Sequence, residues 1–141
     1  MKESSRITEI SLVIYPRKVW VINMIGVDDY ELFIKSISKK FCNKRIGGGY
    51  KELYDGYVKE EFHNIKASVL EARNSKDDIG IIVFLLDECD TGAIVHESVH
   101  IADYVFESLG MSGQNFSERN EQYAYLVEYI FNKINQIYER S

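Results

Sequence analysis

A chain of 141 residues predicts one domain with a core of its own. Its apolar fraction of 45% and charged fraction of 28% are typical of globular domains and disfavour intrinsic disorder. The excess of 22 acidic over 17 basic residues gives a net charge of −5, which disfavours nucleic acid as the main partner.

The N-terminal stretch MKESSRITEI is polar and does not fit the pattern of a secretory signal peptide. The longest apolar run, IGIIVFLLD, is much shorter than the roughly 20 residues that a membrane-spanning helix needs. Cys42 and Cys89 lie far apart and outside any CxxC pattern, which favours free thiols in a reducing compartment over a disulfide. These features predict a cytoplasmic protein that has no membrane partner, and they leave the oligomeric state open.

In the first half of the chain, extended structure precedes a helix and a loop. The run SLVIYPRKVWVINMI is rich in strand-forming residues, and Pro16 should break it or place it at an edge. In DDYELFIKSISKKF, Asp28 and Glu31 fit a capping box and predict a helix start. The helical apolar stripe consists of Tyr30, Phe33, Ile34, Ile37 and Phe41. The glycines of RIGGGYKELYDGY predict a loop, because the GK[ST] ending of a phosphate cradle does not follow.

The second half predicts a hairpin and then two helices. EFHNIKASVLEARN and IGIIVFLLD should be antiparallel strands, the second one covered on both faces because it is apolar almost throughout. The first helix should start near Asp90 or Thr91 and end at Gly110, and the second should be capped by Ser117 or Asn115. The short connection MSGQNF predicts that the helices pack side by side, roughly antiparallel. The buried stripe of the last helix is Tyr123, Leu126, Val127, Ile130, Ile134 and Ile137. The whole order predicts an α+β fold in a single domain, residues 1–141.

The segment HESVH within the first of these helices has the spacing of a zinc site. His96 and His100 are one helical turn apart, so both imidazoles point to the same side and can reach one ion at about 2.0–2.1 Å. Glu97 lies about 100° further round the helix, where its carboxylate can act as a general base on a zinc-bound water without binding the metal. The alternative is two solvated histidines on a surface helix, but the motif has no charged neighbour other than Glu97.

A zinc ion needs a third protein ligand if one tetrahedral position is to stay open for water. Glu121 in the last helix is favoured over Glu118, which lies beside the helix cap and suits a surface charge near the positive end of the helix dipole. His63 is disfavoured, since a histidine in a strand is more often a half-exposed pleat residue.

Four further polar residues near the motif have open roles. Asp103 lies three residues after His100 and could orient a ligand imidazole, although a solvated helix face is equally consistent for Asp103 and for Glu107. Tyr104 and Tyr125 could donate a hydrogen bond to a developing oxyanion. The chain's ten tyrosines favour core packing for both.

The segments IVHESVHIADYVFESLG and ERNEQYAYLVEYIFNKI resemble the small gluzincin-like metallopeptidases of phages and bacterial mobile elements. The resemblance implies a zincin-like fold, with an N-terminal helix and a small, mainly antiparallel sheet followed by a C-terminal pair of packed helices that carries the site. It implies His96, His100 and Glu121 as Zn²⁺ ligands and Glu97 as the catalytic base. It also implies that the strand GIIVFLLD offers an edge to an extended peptide substrate.

Two functions from different classes follow from these residues. The first is a zinc-dependent hydrolase that cleaves peptide bonds, and the second is a catalytically silent zincin-like module that docks a protein partner. A water in the fourth coordination position indicates chemistry, whereas a fourth side chain such as His63 or Cys89 indicates a structural site. Nucleic-acid binding through residues 39–45 is disfavoured by the acidic net charge and by the place of Phe41 in the helix stripe.

Overall fold

The computed structural model describes residues 6–37, 40–42, 65–111 and 120–141. The predicted glycine loop, His63, the MSGQNF connection, both proposed caps of the last helix and Glu118 lie outside these residues. The chain divides into two compact units, residues 1–89 and residues 90–141, which are considered separately below. The prediction of a single domain therefore stays a prediction.

The described residues of the first unit form a five-stranded mixed sheet and one helix. The strands are β1 (Ile7–Ser11), β2 (Lys18–Asn23), β3 (Phe41–Cys42), β4 (Ala67–Asn74) and β5 (Ile79–Leu85), in the order β1-β2-β5-β4-β3. β2 and β5 are parallel, and the other neighbouring pairs are antiparallel. The helix α1 (Tyr30–Ile37) follows β2, so the sheet and not a helix comes first. With the two helices of the second unit, this confirms an α+β fold.

The predicted hairpin between the two later strands is confirmed, but the predicted free edge of β5 is wrong. β4 and β5 pair antiparallel from Ala67↔Leu85 to Arg73↔Ile79. β2 occupies the other side of β5, from Lys18↔Gly80 to Asn23↔Leu85. Because β5 is hydrogen-bonded along both sides, it has no backbone groups to offer to an added peptide strand.

The first hairpin shows the effect of the single proline. β1 ends at Ser11 and β2 starts at Lys18, so Pro16 lies in the connection and removes no ladder hydrogen bond. At the tip, Val13 has φ +62°, a value rarely adopted by β-branched residues. Trp20 on β2 donates its indole N–H to Glu9 Oε1 on β1 at 3.0 Å, which links the two strands through their side chains.

Helix α1 starts one residue later than its sequence indicates. Asp29 Oδ1 accepts a hydrogen bond from the Leu32 amide at 3.1 Å, so Asp29, and not Asp28, acts as the side-chain cap. Phe41 was predicted on the apolar stripe of this helix, but the helix ends at Ile37 and Phe41 begins β3. Its ring packs against Trp20 with 5.1 Å between ring centroids. Aromatic packing against the sheet thus replaces the predicted helical position.

Nearly every element of the first unit contributes side chains to a common apolar core. Its buried members are Trp20, Ile22, Met24, Ile34, Ile37, Phe41, Ala72, Ile82, Phe84 and Leu86. Full burial of a large apolar side chain contributes about 1.5–3 kcal/mol, so this cluster is the main stabilising feature of the unit.

In the second unit, two helices pack against each other: α2 (Thr91–Ser108) and α3 (Asn120–Glu139). The predicted cap is confirmed, because Asp90 Oδ1 accepts from the Ala93 amide at 2.8 Å. Gly110 has φ +69°, and the Met111 amide donates to the Phe106 carbonyl at 2.7 Å, which is the Schellman ending of a helix. No helix in the described part of the chain is long and apolar enough to cross a membrane.

We expect Gly80→Ala to destabilise the first unit by about 2–3 kcal/mol, because the added methyl group would overlap the Lys18 carbonyl oxygen and approach the Trp20 ring to 2.8 Å. Urea unfolding followed by circular dichroism measures the loss. Gly92→Ala is the control, since the nearest heavy atom to its methyl group would be Asp90 Oδ1 at 3.5 Å. That change should stabilise α2 by about 0.5–1 kcal/mol. Equal effects of the two substitutions would contradict the close approach of β2 to Gly80.

Candidate functional site

Helix α2 presents its residues on two distinct faces. The buried face consists of Ile94, Glu97, Ser98, Ile101, Ala102, Val105 and Phe106. The exposed face consists of Val95, His96, Val99, His100, Asp103 and Glu107, which we term the histidine face. On the buried face, Ser98 Oγ donates to the Ile94 carbonyl at 2.7 Å and is thereby satisfied within the helix. The three-to-four-residue spacing of each set fixes which side chains share a face.

The two histidine rings converge as the spacing predicts. His96 Nε2 and His100 Nε2 lie 3.2 Å apart, and the ring centroids lie 4.8 Å apart at an interplanar angle of 72°. Two nitrogens bound at about 2.0–2.1 Å to one tetrahedral zinc ion would be about 3.3 Å apart. The pair therefore fits two of the ligands of a zinc ion. The same separation also permits a hydrogen bond between two neutral imidazoles, one donating its N–H to the other.

Glu97 lies on the border between the two faces and is buried, with 9% of its surface exposed. Burial raises the pKa of Glu97 above its ordinary value, while the charges of His96 and His100 act in the opposite direction. A carboxylate with a raised pKa holds a proton more readily, which suits a group that must accept a proton from water and release it again.

The first turn of α3 is fixed to α2 by Tyr123. Its hydroxyl donates to Asp103 Oδ1 at 2.6 Å and lies 3.4 Å from the Val99 carbonyl oxygen. Its ring packs edge-on against Phe106, with 5.5 Å between centroids. Burial, the hydrogen bond to Asp103 and the charge of that carboxylate raise the pKa of Tyr123 to about 12. Tyr123 therefore stays neutral at physiological pH and acts as a donor.

Glu121 lies two residues before Tyr123 on the same turn of α3, and its side chain is exposed. The residues that the structure describes contain no group of three or more histidine, cysteine, aspartate or glutamate side chains placed to hold a metal ion. The structure thus brings His96 and His100 together but does not bring Glu121 into one group with them. The role of Glu121 as third ligand stays a prediction.

The other polar residues near the motif have distinct positions. Asp103 and Glu107 are both exposed, and Asp103 binds Tyr123 rather than an imidazole. Tyr104 is half-buried, and no functional role follows from its position. The prediction of core packing for Tyr125 is wrong, because 62% of its surface is exposed.

Sequence reasoning missed the pairing of Tyr123 with Asp103. It assigned Tyr123 to the apolar stripe of the last helix, which fits the half-buried ring but gives no role to the hydroxyl. The two residues are 20 positions apart on different helices. No periodic sequence pattern links positions at that distance, so the sequence does not reveal their contact. The only sequence feature that indicated such a contact was a tyrosine hydroxyl within a mostly apolar stripe. A partly buried hydroxyl usually has a hydrogen-bond partner.

No protein-family model, curated protein or solved structure matches the chain. The expected similarity to gluzincins therefore depends on the residues of α2 and α3 alone.

We expect Tyr123→Phe to lower the free energy of unfolding by about 0.5–1 kcal/mol at pH 7, since the variant loses the hydrogen bond to Asp103. In the folded chain the pKa of Tyr123 is raised from 10.0 to about 12. The stability contributed by the neutral hydroxyl is therefore present below pH 10 and is lost as the pH rises through about 12. Urea unfolding should therefore show that the difference in free energy of unfolding between wild type and Tyr123→Phe narrows over this pH range.

Tyr125→Phe serves as the control for this measurement, because Tyr125 lies on the exposed side of the same helix. It should change neither the stability at pH 7 nor its dependence on pH. If the difference in free energy of unfolding between wild type and Tyr123→Phe stays constant up to pH 12, the hydrogen bond to Asp103 does not account for the stability that the hydroxyl contributes.

Proposed function

We propose that the chain is a zinc-dependent hydrolase that cleaves peptide bonds. The observation that carries this proposal is the 3.2 Å separation of the two Nε2 atoms of His96 and His100 on the exposed face of α2. Zinc is the metal that the HExxH spacing on a helix most often holds, with the intervening glutamate as general base. The burial of Glu97 beside an exposed histidine pair agrees with that division of roles.

His96 and His100 would hold the zinc ion through their Nε2 atoms, and Glu121 is the proposed third ligand. The bond of Tyr123 to Asp103 fixes the first turn of α3 beside α2. Glu121, two residues earlier, lies about 200° round α3 from Tyr123 and is exposed, so its choice rests on the chemistry of its carboxylate and not on this contact. A carboxylate is a common third ligand beside two histidines in catalytic zinc sites.

When bound, zinc supplies a Lewis acid that lowers the pKa of a water molecule and polarises the scissile carbonyl. The Glu97 carboxylate accepts a proton from the attacking water and then donates it to the leaving amine. The exposed position of the histidine pair leaves room for a polypeptide to approach from solvent.

A second function is favoured by one observation: among the described residues, the two histidines have no third ligand assembled beside them. The chain would then be a catalytically silent module that docks a protein partner, with its histidines either hydrogen-bonded to each other or bound to a structural metal ion. Zinc content and cleavage, measured separately, distinguish the two functions.

Zinc binding is tested first, with protein stripped by a chelator, reloaded with zinc and freed of excess metal before elemental analysis. Wild type should retain about one zinc ion per chain, and His96→Asn or His100→Asn should reduce the affinity by at least about 100-fold, because a two-histidine site cannot be formed. Glu139→Gln, at the exposed far end of α3, is the control and should retain zinc. Glu121→Gln should weaken binding by about 10- to 100-fold if the glutamate is the third ligand. Unchanged affinity in both histidine variants would exclude the site.

Cleavage is tested with zinc-loaded protein and a mixture of unstructured peptides analysed by mass spectrometry. Glu97→Gln should retain its zinc but reduce the cleavage rate by about 10²–10⁴, because the amide cannot take a proton from water. Glu139→Gln is the control for loss of an exposed negative charge at the far end of α3. Cleavage by Glu97→Gln at the wild-type rate would contradict the mechanism. Zinc binding without cleavage by wild type would support the docking module instead.

A further inference from the structure

The net negative charge of the chain belongs entirely to its helical unit. Residues 90–141 contain eight acidic and three basic residues, a net charge of −5. Residues 1–89 contain fourteen of each and are neutral overall. A zinc ion held by two neutral histidines would reduce the charge of the helical unit only to −3. The unit that carries the candidate site therefore attracts positively charged molecules, with or without the metal.

The histidine face also carries exposed apolar surface next to the imidazoles. Val95 and Val99 are 44% and 38% exposed, which places both among the large apolar side chains that the structure leaves open to solvent. They are four residues apart, so they form one continuous strip along α2, directly beside the strip formed by His96 and His100. Glu97 borders the histidines on the opposite side. The imidazoles thus lie between the buried glutamate and an apolar strip.

Two carboxylates extend the same face toward the C-terminal end of α2. Asp103 lies one turn beyond Val99 and His100, and Glu107 lies one turn beyond Asp103. Both are exposed, and α2 contains no lysine or arginine. A chain lying along α2 would therefore meet, in order, an apolar strip and histidine pair and then two negative charges.

We propose that the histidine face binds a cationic polypeptide segment, in which an apolar side chain packs on Val95 and Val99 and lysine or arginine side chains pair with Asp103 and Glu107. This inference rests on the proposed function, since it names the class of substrate that the same site would cleave. The apolar strip is one side chain wide, which suits a single aliphatic or aromatic residue of an extended peptide. The peptide is proposed to be positively charged because it would complement the net negative charge of the helical unit.

Binding is measured by fluorescence anisotropy with the Glu97→Gln variant, so that no peptide is consumed. The first probe is a labelled peptide with a central leucine pair flanked on each side by two lysines, and the second has glutamates in place of the lysines. The lysine peptide should bind at least about tenfold more tightly at low salt, and this difference should shrink as ionic strength rises. Equal binding of the two peptides would overturn the proposal.

Two further variants, both in the Glu97→Gln background, assign the binding to the histidine face. Glu107→Lys should weaken binding of the lysine peptide by about three- to tenfold, and it suits the helix fold because a positive charge is favourable near a helix C-terminus. Asp28→Lys is the matched control, since it makes the same charge change at an exposed position in the neutral unit. An effect of Asp28→Lys as large as that of Glu107→Lys would overturn the assignment.

The apolar strip is tested with Val95→Ser/Val99→Ser in the same background, because valine and serine have similar helix propensities and both positions are exposed. The double variant should bind the leucine-containing lysine peptide about tenfold more weakly and should leave binding of a peptide with serines in place of leucines unchanged. Equal losses for both peptides would contradict a role for the strip in packing a side chain.

These measurements fail independently of the proposed function. Zinc content and cleavage decide whether the chain is a zinc hydrolase, whereas the peptide titrations are repeated with a chelator present and require no catalysis. Cleavage without preference for the lysine peptide would overturn the present inference and leave the hydrolase intact. Preference for the lysine peptide without zinc binding or cleavage would support peptide binding by the histidine face and would exclude the hydrolase function.

Discussion

The periodicity of one helix controls the chemistry available to this chain. Because side chains four residues apart stack along a helix, His96 and His100 must share a side of α2, and Glu97 must lie to one side of them. Two local signals hold that helix in place: the Asp90 side chain at its start and the left-handed Gly110 at its end. The convergence of the two imidazoles is therefore a local property of α2, and it needs no contribution from the sheet.

The same periodicity determines how much of the site the sequence could predict. The limits of α2, the histidine pair and the neighbouring glutamate all depend on residues within one or two turns of each other. The structure agrees with the predicted limits of α2 and with the side-by-side placement of the imidazoles. The link between Tyr123 and Asp103 joins two helices, and no pattern in a single sequence specifies such a contact. Exposure of Tyr125 was also missed, since tyrosine is equally compatible with packing and with solvent.

In the sheet, too, pairings between strands close in sequence could be predicted, whereas pairings between strands far apart in sequence could not. The β4–β5 hairpin followed from two apolar runs with a polar connector, because antiparallel neighbours need only a short turn. The parallel pairing of β2 with β5 joins residues about 60 positions apart and places β5 in the sheet interior, which removed the expected peptide-binding edge. Phe41 was assigned to the helix for a related reason: its apolar character fits the helical stripe and the β3 position equally well.

Completion of the proposed metal site at α2 would be a tertiary property, although its two histidines are local. A helix can supply two imidazoles to one ion, but a third ligand must come from another element, and here the first turn of α3 is held beside α2 by the hydroxyl of Tyr123. With Glu121 as the proposed third ligand, metal affinity and the packing of α2 on α3 would be coupled. A metal ion that bound both helices would stabilise their contact. Metal binding and folding of the helical unit are therefore expected to report on the same interaction.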